Sequence, residues 1–192
     1  MSKKTAVVTG ANAGLGFEIS KALLLQDYRV VLACRNAVKA AAARSRLLEM
    51  VPGADASVLP LDISVLGSVE KFATLFAEQF GALDLRINNA GIVAIPLTRN
   101  EAGHEMQMAT NYLGNFALVG RMLPFFSAEH SCRVVNVGSL AHRFGTLPLH
   151  DMNWEKDNYK PMAGYARSKV ALLTFALELN RRLAGRNIIA LA

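Results

Sequence analysis

Residues 5–25 constrain this chain more than any other stretch. Thr5-Ala-Val-Val-Thr9 is a short run of buried-strand type. It leads straight into Gly10-Ala-Asn-Ala-Gly14-Leu-Gly16, and a helical pattern follows from Phe17 through Leu25. Strand, glycine turn and helix in that order are the setting in which glycines serve a dinucleotide phosphate. Glycine adopts positive φ and lets the backbone approach a pyrophosphate. The helix start then offers unbonded N–H groups and the positive end of a dipole. The spacing here is Gly-x-x-x-Gly-x-Gly, not the commoner Gly-x-Gly-x-x-Gly. A tight turn that merely needs glycine is the alternative.

The rest of the chain alternates strand and helix. Arg29–Ala33 reads as a second strand, entered by a turn at Gln26-Asp27. NAD-binding units carry an acid near the end of this strand to hold the ribose. Here the strand ends Ala33-Cys34-Arg35-Asn36, with an arginine and no acid. Arg35 either pairs with a 2′-phosphate, which favours NADP(H) over NAD(H), or stands in solvent. An alanine-rich helix over 37–50 and a third strand over 56–61 follow. Asp62 then either accepts from an adenine amino group or caps the next helix. That helix, 68–80, presents Val69, Phe72, Phe76 and Phe80 on one core face. A fourth strand, 83–87, ends in Asn88-Asn89-Ala90-Gly91, small and amide residues that suit a close ligand approach. A long helix is expected over 101–126. It contains Asn111, which is unfavourable inside a helix and so is either exposed or recruited. A fifth strand, 133–137, ends at Gly138-Ser139, and a sixth begins at Asn187. The pattern predicts an α/β fold, a doubly wound parallel sheet in a single domain over 1–192.

Composition removes other classes. At 192 residues, 52% hydrophobic and 19% charged, the chain can bury a proper core. No apolar run reaches the ~18 residues of a membrane span, and the N-terminus is too short in apolar residues for a signal peptide. Two cysteines make no disulfide framework, so a cytoplasmic protein is expected. The net charge of +6 fits an anionic ligand. The basic residues are scattered without an aromatic RNA-binding signature, which argues against nucleic acid. His104, His130, His142 and His150 lack metal-ligand spacing, so no metal site is expected.

The helix after the fifth strand carries Tyr165-Ala-Arg-Ser-Lys169. A phenol and an ammonium four apart share one helix face. A tyrosine titrates near pH ~10, and a neighbouring cation stabilises its phenolate. Such a pair can move a proton to or from a substrate oxygen near neutrality. A surface pair that happens to be four apart is the alternative.

Taken together, Thr9-Gly10-Ala-Asn-Ala-Gly14-Leu-Gly16, Asn88-Asn89-Ala90-Gly91, Asn111, Ser139 and Tyr165-x-x-x-Lys169 resemble the short-chain dehydrogenases/reductases, in the family's order over essentially the whole chain. Leu32-Ala-Cys-Arg35-Asn36, Asn111-Tyr-Leu-Gly-Asn-Phe116, Ser139-Leu-Ala-His142 and Asn153-Trp-Glu-Lys156 look most like the retinol dehydrogenase and WW-domain oxidoreductase group. The resemblance implies a Rossmann-like fold and an oxidoreductase interconverting an alcohol and a carbonyl. It implies Tyr165 as acid/base, Lys169 tuning it and holding the nicotinamide ribose, Ser139 bonding the substrate oxygen, and Asn111 holding a water that links Lys169 to solvent. Gly10, Asn12, Gly14, Leu15 and Gly16 would wrap the pyrophosphate and adenosine ribose. Arg35 would read the 2′-phosphate, Asp62 and Ile63 the adenine, and Asn89, Ala90 and Gly91 would line the cleft. NADP(H) is the expected cofactor, with NAD(H) second. The family also implies a homodimer or homotetramer, paired through the 101–126 and 165–184 helices.

Four departures qualify the resemblance. Arg86 stands in a strand where the family is apolar, costly unless paired. Asp27 replaces a turn glycine, and Gly138 replaces a serine. The chain also stops at Ala192 inside the sixth strand, short of a Pro-Gly turn, a substrate-covering segment and a seventh strand. The expectation is a reading frame that continues past Ala192, and a 192-residue chain that binds NADPH weakly and turns over poorly. Phe144, Leu147, Pro148, Leu149, Trp154 and Met162 between Ser139 and Tyr165 point to an apolar substrate, or simply pack their loop. The alternative function is an idle or regulatory NADP(H)-binding protein, or an inactive fragment of such an enzyme.

Overall fold

Every strand among the described residues joins one parallel sheet. In a computed structural model the order is β3-β2-β1-β4-β5-β6. The strands are β1 (Thr5–Thr9), β2 (Arg29–Cys34), β3 (Asp55–Pro60), β4 (Leu85–Asn88), β5 (Cys132–Asn136) and β6 (Ile188–Leu191). The structure describes residues 3–128 and 131–192. His130, one of the four histidines considered above, lies outside the described residues. The order reverses direction at β1/β4, the switch point at which such sheets bind ligands beyond their carboxyl ends.

The helices connecting these strands are α1 (Gly14–Leu25), α2 (Ala37–Met50), α3 (Leu66–Gln79), α4 (Met106–Met108), α5 (Gly114–Met122) and α6 (Pro161–Arg182). Alternation along each strand sends one set of side chains to each face. Ala6, Val8, Val30 and Leu32 pack under Phe17, Leu23 and Leu24 of α1 and Ala40 and Leu47 of α2. Val7 and Val31 meet Val69, Phe72 and Phe76 of α3 and Leu118 and Met122 of α5. Val134 packs with Leu172, Phe175 and Leu179 of α6. Burying a Phe72 or Phe76 ring contributes about 1.5–3 kcal/mol relative to leaving it in water. Phe80, expected on the same face, is only partly buried.

Local chemistry ends the elements where they end. Asn36 starts α2 by accepting from the Lys39 N–H at 2.9 Å. Asp27 follows α1 with φ +60°, a conformation that aspartate tolerates in place of glycine. No helix among the described residues is long and apolar enough to cross a membrane.

The helix expected over 101–126 is broken. Residues 101–105 form a turn in which Asn100 Oδ1 accepts from the His104 N–H, and Glu105 then caps α4 through the N–H groups of Gln107 and Met108. Ala109–Leu113 winds as a π-turn, α5 follows, and Leu123–Phe125 tightens to 3₁₀. A π-turn inserts one extra residue, which no periodicity of apolar positions reports.

Arg86 sits in β4 between Val7 of β1 and Val134 of β5. It is 0% exposed, and none of its guanidinium nitrogens has a hydrogen-bond partner among the described residues. Burial alone pushes its pKa down to about 9. The pairing that would offset its cost is absent from the described residues.

Candidate active site

At the carboxyl edge of β1, Gly10 takes φ +64° and Gly14 φ +53°. A Cβ on Gly16 would collide with the Gly10 carbonyl oxygen and the Asn89 amide, so only glycine permits this packing. Helix α1 starts at Gly14 with no side-chain cap and no acid in its first turn. Its leading N–H groups therefore remain available to an anion. Cys34 lies beneath the turn. Burial raises its thiol pKa, and the Ala11 and Asn12 N–H groups oppose that shift.

Beside this turn opens a cavity of about 430 Å³. Of the residues expected to hold a cofactor, Gly10, Asn12, Arg35, Asp62, Ile63, Ala90 and Gly91 line it. Gly14, Leu15, Gly16 and Asn89 do not. Asn89 works as a clamp instead. Its Nδ2 donates to the Thr9 carbonyl at 2.8 Å, and its N–H and that of Ala90 both donate to Thr9 Oγ1 at 3.0 Å. Thr9 thus locks β4 to the glycine turn, a role no local signal marked. Cys34, Ser64, Ile92, Ile95, Met106 and Thr110 also line the cavity. They come from five separate segments, which is why sequence reading missed them.

Arg35 is largely exposed, its guanidinium 3.7 Å from Asp62. Asp62 keeps its other oxygen for the Ser64 N–H and hydroxyl, so it braces the β3–α3 turn rather than capping α3. An exposed, singly engaged guanidinium at the cavity rim suits an incoming phosphate. Uncapped helix start, glycine cradle and rim arginine together fit a phosphorylated dinucleotide.

The second cluster sits across the switch point. Tyr165 and Lys169 lie on one face of α6, with Nζ 5.7 Å from the phenol ring centroid. Lys169 is 6% exposed, its pKa lowered by burial, and it donates to the Val137 carbonyl at 2.7 Å. Ser139 follows β5. Its Oγ accepts from the Ala141 N–H at 3.2 Å, which leaves its own hydrogen free to donate. Ser139 and Lys169 share a cavity of about 240 Å³.

Asn111 occupies the π-turn, fully buried. Its Oδ1 accepts from the Ile92 N–H, and its Nδ2 donates to the Ile92 carbonyl and to Ser168 Oγ, each at 2.9 Å. The residue is recruited, not exposed. Both atoms of its amide thus have partners.

The loop before α6 is tied down by polar contacts. Arg167 lies 3.7 Å from the Trp154 ring centroid and donates to the Asp151 carbonyl at 2.7 Å. The Asp151 carboxylate accepts from the Asp157, Glu155 and Lys156 N–H groups, which hold its pKa below the usual range. The Tyr159 hydroxyl shares its one hydrogen between Ile95 O and Glu105, and accepts from Gln107. Trp154 is therefore loop packing, whereas Phe144, Leu149 and Met162 are exposed.

The sequence pattern of the family described as short chain dehydrogenase matches residues 4–192. Human retinol dehydrogenase 13 is 36% identical over 185 residues, covering 96% of this chain and 56% of that protein. Human WW domain-containing oxidoreductase is 36% identical over 192 residues, covering 96% and 46%. The chain thus spans about half the length of the curated relatives it matches. Among solved structures, an uncharacterised protein from Mycobacterium paratuberculosis superposes with a TM-score of 0.87 at 38% identity, covering 97% of this chain and 66% of that one. The Pseudomonas aeruginosa RhlG/NADP complex superposes with a TM-score of 0.78 at 27% identity, covering 100% and 71%. With the glycine turn, the switch-point cavity and the Tyr165–Lys169 face already in place, these matches make the chain a member of the short-chain dehydrogenase family.

Proposed function

We propose that this chain binds NADP(H) and interconverts an alcohol and a carbonyl on an apolar small molecule. The observation that carries this reading is that Tyr165, Lys169 and Ser139 stand at the same sheet edge as the glycine cradle. When bound, the nicotinamide cofactor supplies or accepts the hydride. The chain's own residues bind, orient and move one proton. Gly10, Asn12, Gly14, Leu15 and Gly16 hold the pyrophosphate and ribose. Asp62 and Ile63 hold the adenine, and Asn89, Ala90 and Gly91 shape the cleft. Ser139 donates to the substrate oxygen, and Tyr165 gives or takes the proton there. Lys169, 5.7 Å from the phenol ring centroid, holds the nicotinamide ribose. Asn111 holds a water linking Lys169 to solvent. Phe144, Leu149 and Met162, exposed apolar residues between Ser139 and Tyr165, support an apolar substrate. The NADP held by the similar RhlG supports the phosphorylated cofactor.

Arg35 should favour NADPH over NADH by a charge-assisted pair worth ~1.5–3 kcal/mol, roughly ten- to hundredfold in Kd. Arg35→Ala should erase most of that preference; equal affinities in the unaltered chain overturn it. A panel of apolar aldehydes and ketones assayed with NADPH tests the reaction. Tyr165→Phe should abolish turnover and leave NADPH binding within about threefold, since the ring still packs. NADPH binding without turnover of any substrate would instead mark an idle or regulatory binder.

The exposed Phe116 of α5 and Leu177 of α6 support pairing with a second copy through these helices. Light scattering should then show a dimer or tetramer. Buried thiols at Cys34 and Cys132 fit a reducing, cytoplasmic setting, which cell fractionation tests.

A further inference from the structure

Asn115 is the residue on which the π-turn closes. It is 0% exposed, at the start of α5. Its Nδ2 turns back to the Asn111 carbonyl at 3.1 Å and the Thr110 carbonyl at 3.3 Å. These are carbonyls that the extra residue of a π-turn loosens from the regular ladder. The other amide atom, Oδ1, has no partner among the described residues. The donors alone therefore hold the side chain, and a flipped amide would press oxygen against two carbonyl oxygens.

The turn is also wedged from outside. A Cβ on Gly114 would collide with the Ile63 carbonyl, so α5 begins in direct contact with the β3–α3 turn that carries Asp62.

We propose that Asn115 is a positioning residue: its amide holds the π-turn in register and thereby aims Asn111 at Ile92 and Ser168. The physical reason is angular. Relaxing the π-turn to α-helix removes one residue from the register, which rotates what precedes it by about 100° around the axis. Asn111 would then leave both partners. One partner, Ile92, lines the cofactor cavity; the other, Ser168, adjoins Lys169 on α6. Asn115 lies away from both walls, and it acts through Asn111, whose side chain bridges Ile92 and Ser168.

The proposal rests on the catalytic reading above, and its test has one arm that does not. Asn115→Leu keeps the volume and removes both donors. Asn115→Asp keeps the shape and sets a carboxylate against the two carbonyls. In the first arm, hydrogen exchange is followed by NMR at the Ile92 N–H and through 109–114. Both variants should accelerate it about tenfold or more there, while the Val7 and Val31 amides in β1 and β2 keep wild-type protection. In the second arm, kcat should fall about tenfold or more, with the NADPH Kd within about threefold of wild type. If Asn115→Leu does not fold, Asn115→Asp carries both arms. Wild-type exchange at Ile92 in a folded variant overturns the proposal whether or not the chain turns over. Faster Ile92 exchange in a chain whose unaltered form shows no turnover upholds it and removes the catalytic reading instead. Faster exchange with kcat unchanged in an active chain also overturns it.

Discussion

Two arginines are buried among the described residues, and their surroundings are opposite. Arg167, on α6 between Tyr165 and Lys169, is 4% exposed, stacked on Trp154 and bonded to the Asp151 carbonyl. Asp151, Asp157 and Glu105 all lie near enough to favour its charge, though burial still outweighs them and lowers its pKa. Arg86, in β4, has apolar neighbours and no hydrogen bond among the described residues. The same side chain is thus a fastener in one place and a cost in the other. The difference lies in the backbone around it. The 151–160 loop exposes carbonyls and turns that a guanidinium can satisfy. The centre of a parallel sheet has already committed every such group to its ladder.

The largest test of this contrast is Arg167→Ala. Losing a desolvated cation–π contact and a charged hydrogen bond should cost about 3–5 kcal/mol in urea unfolding. Arg167→Lys should rescue little, because an ammonium cannot reproduce the flat stack. A loss below about 1 kcal/mol would place Arg167 among ordinary surface contacts.

Next in size is the opposite substitution. Arg86→Met should stabilise the chain by about 1–4 kcal/mol, as replacing an uncompensated buried ion by an apolar group of similar length does. Destabilisation would mean that the guanidinium has a partner that offsets its burial.

The pH dependence sharpens the point. Burial lowers the folded pKa of Arg86 to about 9, well below its value in the unfolded chain. Between those values the unfolded chain binds the extra proton, so this group makes stability rise with pH. The gap between Arg86→Met and wild type should therefore be full at neutral pH and narrow above about 9. A gap constant through that range would detach it from the charge.

The smallest effect concerns the loop's other anchor. Tyr159→Phe removes a phenol bonded to Ile95 O, Glu105 and Gln107, at a cost of about 1–2 kcal/mol. Its pKa is pushed up to about 12, by burial first and then by Glu105. The folded chain keeps that proton after the unfolded chain has lost it, so Tyr159 makes stability fall as pH climbs from 10 toward 12. The two groups have opposite slopes in alkali. Unfolding of Tyr159→Phe should show the Arg86 slope more steeply than wild type.

What the sequence determined by itself was local. The order of strands and helices, the glycine turn after β1, the arginine at the end of β2 and the Tyr165–Lys169 spacing all rest on period, propensity or a separation of a few residues. The misplacement of Arg86 was legible for the same reason, as a charge inside an apolar strand.

Tertiary structure decided what depends on long-range contact. Asn89 faces Thr9 across the sheet and so clamps rather than lines the cavity. Trp154 turns inward because Arg167 and Tyr159 meet it from the neighbouring helix and loop. The π-turn at 109–113 exists only where Asn115, Ile92 and Ser168 hold it, against the plain helix that its composition would give. Each of these rests on hydrogen bonds or packing that the fold must bring together, and a one-dimensional pattern carries no trace of them.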